Sequence, residues 1–282
     1  MKDIYQDTTN MLLNLMEKDK GIPWRKAWAG CFLPRNGQSG RLYQGINVPV
    51  LWSRALALGF QSNEWFTYNG AIRAGGHVAK GNKSRASAVY WKLINCKKEV
   101  PSERDVKHTF PLIKTYPLWN RDQCELPELE KLPTLSEYKL ADDCVGQLAP
   151  DIREGEPAYV PEYDVIEMPM PDAFKSPDDY FGTMFHELAH WTGHKTRLDR
   201  GLDKFYGSKD GYAFEELVAE LAACYVCAWF DIHGRSQAAQ YLKSWVSAMK
   251  EDNKYIFKAS RQGFEAARYI LGYPQELDPV GV

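Results

Sequence analysis

The chain has few cysteines, no long apolar run and almost no net charge, and each of these features excludes a class of protein. Its 282 residues include 6 cysteines, which are widely scattered and indicate free thiols rather than a disulfide framework. No stretch reaches the roughly 18 consecutive apolar residues that a membrane span requires. The opening MKDIYQDTTN lacks the basic head and apolar core of an export signal, so we expect a cytoplasmic protein with no membrane partner.

The net charge of −2 conceals an uneven distribution along the chain. Up to residue 115 there are 18 Lys and Arg residues against 8 Asp and Glu residues, whereas the remainder has 17 against 29. This asymmetry predicts that the two halves face different partners. We expect an α+β protein of two domains: a small basic α+β domain over residues 1–119 and a mainly helical domain with a small sheet over 151–282. An acidic, proline-containing linker is expected over 120–150.

The segment FHELAHWTGH at 185–194 carries the clearest chemical signal. His186 and His190 lie one turn apart on a predicted helix whose expected N-cap is Ser176, so both imidazoles can bind one ion. Glu187 lies about 100° around this helix, where it can reach a water at the metal site without being a ligand. The pattern His-Glu-x-x-His is typical of zinc hydrolases and predicts Glu187 as the catalytic acid-base residue.

A third metal ligand is predicted in the apolar segment GYAFEELVAELAACYVCAWF at 211–230. A buried carboxylate is costly unless it is paired or binds a metal. We predict Glu216 as the ligand and Glu220 as the carboxylate that orients a ligand histidine, because the pair resembles the Glu-x-x-x-Asp arrangement of gluzincin peptidases. The reverse assignment stays open, and Glu215 is expected at the surface or in a salt bridge. The expected ion is Zn²⁺, with Mn²⁺ as an alternative.

Three further features around this site have candidate roles. His194 follows the pair, but the metzincin pattern would place its third histidine at Thr196, so His194 is predicted as a helix-end residue or a substrate-side group. Tyr206 or Tyr212 could supply a phenol that stabilises an oxyanion. The extended segment at 158–168 is predicted either as the edge strand beside which a peptide substrate lies or as an ordinary sheet edge.

The basic half interleaves cations with aromatic residues. Phosphate binding needs Lys and Arg, and unpaired bases stack on aromatic faces, so we predict single-stranded DNA as a partner. Each aromatic residue could instead belong to the hydrophobic core. The candidate contact residues are Trp24, Arg25, Lys26, Trp28, Arg41, Tyr43, Lys80, Lys83, Arg85, Trp91 and Lys92.

Taken together, the motifs resemble those of ArdC-type antirestriction proteins over almost the whole chain. The resemblance is carried by YQGIN at 43–47, WFTY at 65–68, HELAHWTGH at 186–194 and YAFEELVAE at 212–220. It implies an N-terminal single-stranded-DNA-binding domain followed by a zincin-like metallopeptidase domain. It further implies a plasmid-borne protein that protects incoming DNA from host restriction during conjugation. An unknown host protein is the expected peptidase substrate; alternatively, the protein only masks DNA and its metal site is structural.

Overall fold

The computed structural model describes residues 3–19, 21–23, 33–96, 108–127, 138–202, 208–233 and 238–272. The helices are α1 (Ile4–Asp19), α2 (Asn47–Leu58), α3 (Tyr68–Arg73), α4 (Tyr138–Leu148), α5 (Pro177–Thr192), α6 (Lys209–Trp229), α7 (Leu242–Glu251) and α8 (Tyr255–Ile270). The strands are β1 (Arg35–Asn36), β2 (Glu64–Phe66), β3 (His77–Val78), β4 (Ala86–Cys96), β5 (His108–Asn120), β6 (Cys124–Glu125), β7 (Asp151–Glu154), β8 (Ala158–Val160) and β9 (Val165–Met168). None of the helices in these ranges combines the length and the apolar character needed to cross a bilayer.

The first half is built on a four-stranded sheet in the order β1-β2-β5-β4. Its longest strands, β4 and β5, form an antiparallel pair and are rich in the β-branched and aromatic residues that favour strands. Helix α2 packs beside β4, and its first residue, Asn47, bonds to the free edge of that strand. The Asn47 Nδ2 donates to the Val89 carbonyl at 2.9 Å, and the Val89 N–H donates to Asn47 Oδ1 at 2.7 Å. This amide therefore ties the start of α2 to the sheet.

In the second half, helix α5 packs on α6 and on a three-stranded sheet in the order β7-β9-β8. The segment predicted to be extended over 158–168 instead forms a hairpin, because a turn at 161–164 separates the antiparallel strands β8 and β9. Of these two strands β8 lies at an edge of the sheet and β9 at its centre. Helix α5 begins as its sequence predicts. The Ser176 hydroxyl accepts a hydrogen bond from the Asp179 N–H at 3.2 Å, and Pro177 occupies the first turn, where its missing N–H costs nothing.

One hydrophobic cluster runs through both halves of the chain. It contains Leu12, Met16, Val48 and Trp52 from the first half together with Leu217, Val218, Tyr225 and Trp245 from the second. The rings of Trp52 and Tyr225 lie 5.9 Å apart at the junction. The two predicted domains therefore share a core. Burial of apolar side chains at this interface stabilises the contact between the two domains.

The predicted linker over 120–150 is folded wherever the structure describes it, which corrects that prediction. Residues 120–125 cap and pair with elements of the first half, and residues 138–148 form α4. Helix α4 buries Ala141 and Val145, and the Tyr138 ring stacks on Phe181 of α5. Its apolar residues at positions 141, 144, 145 and 148 have helical spacing, a signal that the high content of acids and prolines obscured.

Candidate functional site

Three side chains that the sequence nominates as metal ligands converge where α5 packs on α6. The Nε2 atoms of His186 and His190 are 3.3 Å apart. Glu216 of α6 places Oε2 at 3.4 Å from the first of these nitrogens and Oε1 at 3.6 Å from the second. A tetrahedral zinc site with bonds of about 2.0–2.2 Å has its ligand atoms about 3.3–3.6 Å apart. The three side chains therefore fit a single divalent ion.

Carboxylates surround this group and favour positive charge within it. Burial by itself lowers the pKa of His186, but the hydrogen bond that His186 donates to Glu216 and the charges of Glu187, Glu216 and Glu220 outweigh burial and raise that pKa to about 9. Burial by itself raises the pKa of Glu216, but its hydrogen bond with His186 and the charges of the two imidazoles outweigh burial and lower that pKa. An anionic, partly buried pocket of this kind is suited to a divalent cation.

The acid that contacts a candidate ligand imidazole from behind is Glu215. Its Oε1 lies 3.3 Å from His190 Nδ1, on the side of the ring opposite the Nε2 atom that faces Glu216. Glu215 is 0% exposed and forms an ion pair with Arg200, which is 4% exposed. The sequence predicts Glu215 at the surface or in a salt bridge. The salt bridge is confirmed, and the surface position is wrong because α6 is buried on this face too.

Arg200 was missed by sequence reasoning and joins this acid to the end of α5. Its guanidinium donates to the Ala189 carbonyl at 2.6 Å and to the Thr192 hydroxyl at 2.7 Å, in addition to pairing with Glu215. A Cβ at Gly193 would lie 2.8 Å from Arg200 Nη2, so glycine is needed for this approach. The glycine within HELAHWTGH is the one available signal that another group passes close to the chain there.

Glu220 lies one turn beyond Glu216 and is buried. Its charge acts on His186, and its Oε1 lies 3.9 Å from Cys224 Sγ. Among the described residues, the metal-binding donor set contains Glu216 and does not contain Glu220. That arrangement supports Glu216, rather than Glu220, as the metal ligand. The orientation of a ligand histidine by Glu220 stays a prediction.

A pair of tyrosines borders the site. Hydrogen bonds link the Tyr212 hydroxyl to Glu216 and to Tyr241, and the two tyrosine rings meet edge to face at 5.9 Å. Burial, the Tyr241 contact and the Glu216 charge all raise the pKa of Tyr212, which keeps the phenol protonated. Tyr206 lies outside the described residues. The predicted phenol Tyr212 therefore lies beside the donor set. Its partner Tyr241 was not predicted, because it comes from a distant segment that no local motif marks.

His194 takes part in a separate network just beyond α5. Its Nδ1 lies 2.8 Å from the Thr196 hydroxyl and 3.8 Å from Asp164 Oδ2. Asp164, in the turn between β8 and β9, also accepts from the Tyr159 hydroxyl and pairs with Arg197. His194 therefore belongs to the contacts that fasten the end of the helix to the sheet, as a helix-end residue would.

The structure separates the predicted DNA contacts into three groups. Arg41, Lys80, Lys83 and Arg85 are exposed, the last three in the turn between β3 and β4. Tyr43 is only 1% exposed and packs among Leu51, Trp65 and Leu118, so its proposed stacking on a base is wrong; its ring is core. The remaining candidates, Trp24, Arg25, Lys26, Trp28 and the side chains of Trp91 and Lys92, lie outside what the structure describes.

Beside that turn lies an aromatic pair that the sequence analysis did not include among the candidate DNA contacts, of which Tyr68 is exposed and Trp119 partly buried. Tyr68 is 53% exposed, and its ring meets Trp119 edge to face at 5.9 Å. The Trp119 indole donates to the Asn82 carbonyl at 3.4 Å, which places the pair next to the turn that carries Lys83. Tyr68 belongs to the WFTY motif, but its sequence neighbours carry no cation that would have marked it.

Comparison with known proteins agrees with this architecture. The sequence profile of the N-terminal domain of anti-restriction factor ArdC matches residues 2–119, and that of a zincin-like metallopeptidase matches residues 140–262. A DNA primase TraC of Escherichia coli is 34% identical over 278 residues, covering 90% of this chain, which spans only 26% of that relative. The uncharacterized protein y4eC of Sinorhizobium fredii is 29% identical, with 95% of this chain and 91% of the relative covered.

Solved structures extend the likeness to the whole fold. The metal-free crystal structure of antirestriction protein ArdC from plasmid R388 has a TM-score of 0.80 and 36% identity, covering 96% of this chain and 97% of that one. The Mn(II)-bound structure of the same protein has a TM-score of 0.79 and 35% identity, covering 96% and 98%. The chain belongs to the ArdC family of antirestriction proteins.

Proposed function

We propose that this chain protects incoming plasmid DNA from restriction by binding single-stranded DNA and hydrolysing a host protein at a divalent-metal site. The ligands are His186, His190 and Glu216, and Glu187 is the acid-base residue. The observation that carries the hydrolytic part is the donor set beside Glu187: the two imidazole Nε2 atoms lie 3.3 Å apart, and the two carboxylate oxygens of Glu216 lie 3.4 Å from one and 3.6 Å from the other. Zn²⁺ is the expected ion, and the Mn(II)-bound relative supports Mn²⁺ as the alternative.

The chemistry divides between the ion and the side chains. When bound, a divalent ion supplies Lewis acidity that polarises the scissile carbonyl and makes water more acidic. Glu187 accepts the proton from the attacking water and passes it to the leaving amine. Glu215 accepts from the His190 Nδ1–H, which keeps Nε2 of that ring directed at the donor set. The Tyr212 hydroxyl, protonated and beside Glu216, donates to the developing oxyanion.

Strand β8 is the proposed platform for a protein substrate. It lies at an edge of its sheet and packs against α5, the helix that carries both histidines. An extended peptide can add to such an edge through main-chain hydrogen bonds, and these bonds form with peptides of many different sequences. This mode suits hydrolysis of an extended segment of a host protein rather than of a folded surface.

DNA binding by the first half is supported by charge and by exposed aromatic surface. The turn between β3 and β4 presents Lys80, Lys83 and Arg85 to solvent, with Tyr68 and Trp119 beside it. Cations bind phosphates irrespective of sequence, and aromatic faces bind bases only where these are unpaired. This combination favours a single strand over a duplex.

We therefore expect tighter binding to a labelled single strand than to the duplex of the same sequence, because paired bases cannot reach the aromatic rings. Fluorescence anisotropy titrations at several salt concentrations measure both affinities. Log affinity for the single strand should fall linearly with log salt, by about 0.7 for each phosphate contacted. Equal affinity for the two forms, or affinity that does not change with salt, would contradict the proposal.

A second candidate function is DNA masking with a structural metal. The donors come from two different helices, and Glu215 with Arg200 ties the same two helices together in the buried interior. An ion at this place would therefore also cross-link α5 to α6. Under this alternative the ion stabilises the fold, and Glu187 has no part in protection.

A further inference from the structure

A cavity of about 590 Å³ lies where the two halves of the chain meet. Residues 43–47 form its floor, Val89 and Tyr90 of β4 form one wall, and α8 with Tyr5 of α1 forms the other. None of its lining residues belongs to the candidate metal site. Its volume lies within the range of about 300–1,000 Å³ that is typical of ligand pockets.

The α8 wall is strongly basic. Lysines and arginines recur at three-, four- and seven-residue steps and so project from one face of the helix. They are Lys254, Lys258, Arg261 and Arg268, and the one carboxylate that lines the cavity is Glu265. The opposite face of α8 packs tightly on α6, because a Cβ at Gly263 would lie 3.0 Å from both Leu221 Cβ and the Val218 carbonyl. The basic face is therefore held toward the cavity by core packing.

Aromatic rings lie among these cations. Tyr5 and Phe257 meet edge to face at 4.8 Å, and the Lys254 ammonium lies 5.1 Å from the centre of the Tyr5 ring. Across the cavity, Tyr90 is half-buried and is supported from β5 by Tyr116 at 6.1 Å. Proteins bind single-stranded nucleic acid through cations that contact the phosphate backbone and aromatic rings on which the bases stack. This cavity provides both kinds of group.

The YQGIN motif at 43–47 forms the floor of this cavity. Asn47 is fixed by its two hydrogen bonds to Val89 on the edge of β4. The Gly45 carbonyl accepts from the Tyr225 hydroxyl at 3.4 Å, and Gly45 has a φ of 53°, a conformation that favours glycine. With the Tyr43 ring in the core, the motif provides a rigid floor rather than a base-stacking surface.

We propose that this cavity binds a stretch of single-stranded DNA, with its phosphates along Lys254, Lys258 and Arg261 of α8 and its bases against Tyr5, Tyr90 and Phe257. This inference rests on the proposed DNA binding and extends it. The DNA site then spans both halves of the chain, and a helix of the acidic, metallopeptidase-like half supplies the phosphate contacts.

A pair of lysines with matched surroundings provides the first test. Lys258 lines the cavity and Lys250 of α7 does not, yet each is 57% exposed and each forms a 2.8 Å ion pair with an acid. In anisotropy titrations with a single-stranded oligonucleotide, Lys258→Ala and Arg261→Ala should each weaken binding about fivefold at about 0.1 M salt. Each should also reduce the salt slope by about 0.7. Lys250→Ala should bind as the unmodified protein does.

A gain of affinity provides a second test that loss of folding cannot imitate. Glu265→Gln removes the carboxylate from the cavity and releases Arg261 from its 3.2 Å ion pair. We expect about two- to fivefold tighter binding of the same oligonucleotide, as loss of one exposed charge interaction allows. Glu251→Gln, an exposed acid on α7 away from the cavity, should leave affinity unchanged.

The outcomes separate this inference from the proposed function. If the unmodified full-length protein does not bind single-stranded DNA, the DNA part of the proposed function fails. If it binds, but Lys258→Ala behaves like Lys250→Ala or Glu265→Gln behaves like Glu251→Gln, the cavity assignment is overturned and DNA binding by the first half stands. Weaker binding of the first variant together with tighter binding of the second supports the cavity.

Discussion

A Glu187→Gln protein is expected to retain its metal and its DNA affinity and to hydrolyse protein about 100- to 10,000-fold more slowly. The amide has nearly the volume of the carboxylate but cannot accept a proton from water. Glu187 is beside the donor set without belonging to it, so the three ligands are undisturbed. Metal analysis and anisotropy with single-stranded DNA measure the first two properties, and loss of protection of an incoming plasmid from restriction is the expected consequence of the slower hydrolysis.

A second variant makes this experiment decisive between the two candidate functions. His190→Ala removes one of the donors and is expected to release the metal. If both variants lose protection, hydrolysis is the working activity. If Glu187→Gln protects as the unmodified protein does and His190→Ala does not, the metal is structural and the protein works by masking DNA. Glu251→Gln serves as the control for an exposed acid on another helix.

An Arg200→Ala protein is expected to lose about 3–5 kcal/mol of unfolding free energy. The substitution leaves the carboxylate of Glu215 buried without the cation that lowers its pKa against the opposing effect of burial. It also removes donors from the Ala189 carbonyl and the Thr192 hydroxyl at the end of α5. Urea denaturation of metal-free protein measures this loss without any contribution from released metal.

The control is an arginine–glutamate pair that is exposed, in contrast to the buried pair of Arg200 and Glu215. Arg261 and Glu265 lie 3.2 Å apart on one face of α8, with side chains 69% and 46% exposed. Arg261→Ala should therefore cost less than about 0.5 kcal/mol. An Arg200→Ala protein as stable as the Arg261→Ala protein would contradict the structural role assigned to the buried pair.

The Arg200 network also gives the ligand helix a defined position before any metal binds. Glu215 contacts His190 directly, and Arg200 ties Glu215 to the last turn of the same helix. The cation, the acid and the imidazole thus form one chain of contacts around the glycine at 193. Preorganised donors lose less conformational entropy when an ion binds than mobile donors would.

Sequence reasoning was weakest where a residue's type is compatible with both surface and core. Tyr43 was read as a stacking ring because cations flank it, yet its ring fills the space between α2 and the first sheet. The acidic stretch over 120–150 was read as a linker, yet its described end forms a helix that packs on α5 and α8. In both cases the prediction used the composition of a short segment. Burial of these residues depends instead on which distant elements of the chain pack against that segment.

The sequence by itself determined the pair His186 and His190, the acid between them and the capped helix that carries them. In an α-helix the spacing of residues in the sequence sets the direction in which their side chains project. The relative positions of these three residues can therefore be predicted without knowing any distant residue. Only the tertiary structure supports Glu216 over Glu220, because the two acids lie one turn apart on the same face and the packing of α6 on α5 brings Glu216 beside both Nε2 atoms. It alone brought Arg200 behind His190 and α8 opposite the YQGIN segment. Those contacts join residues far apart in the chain, which no local pattern encodes.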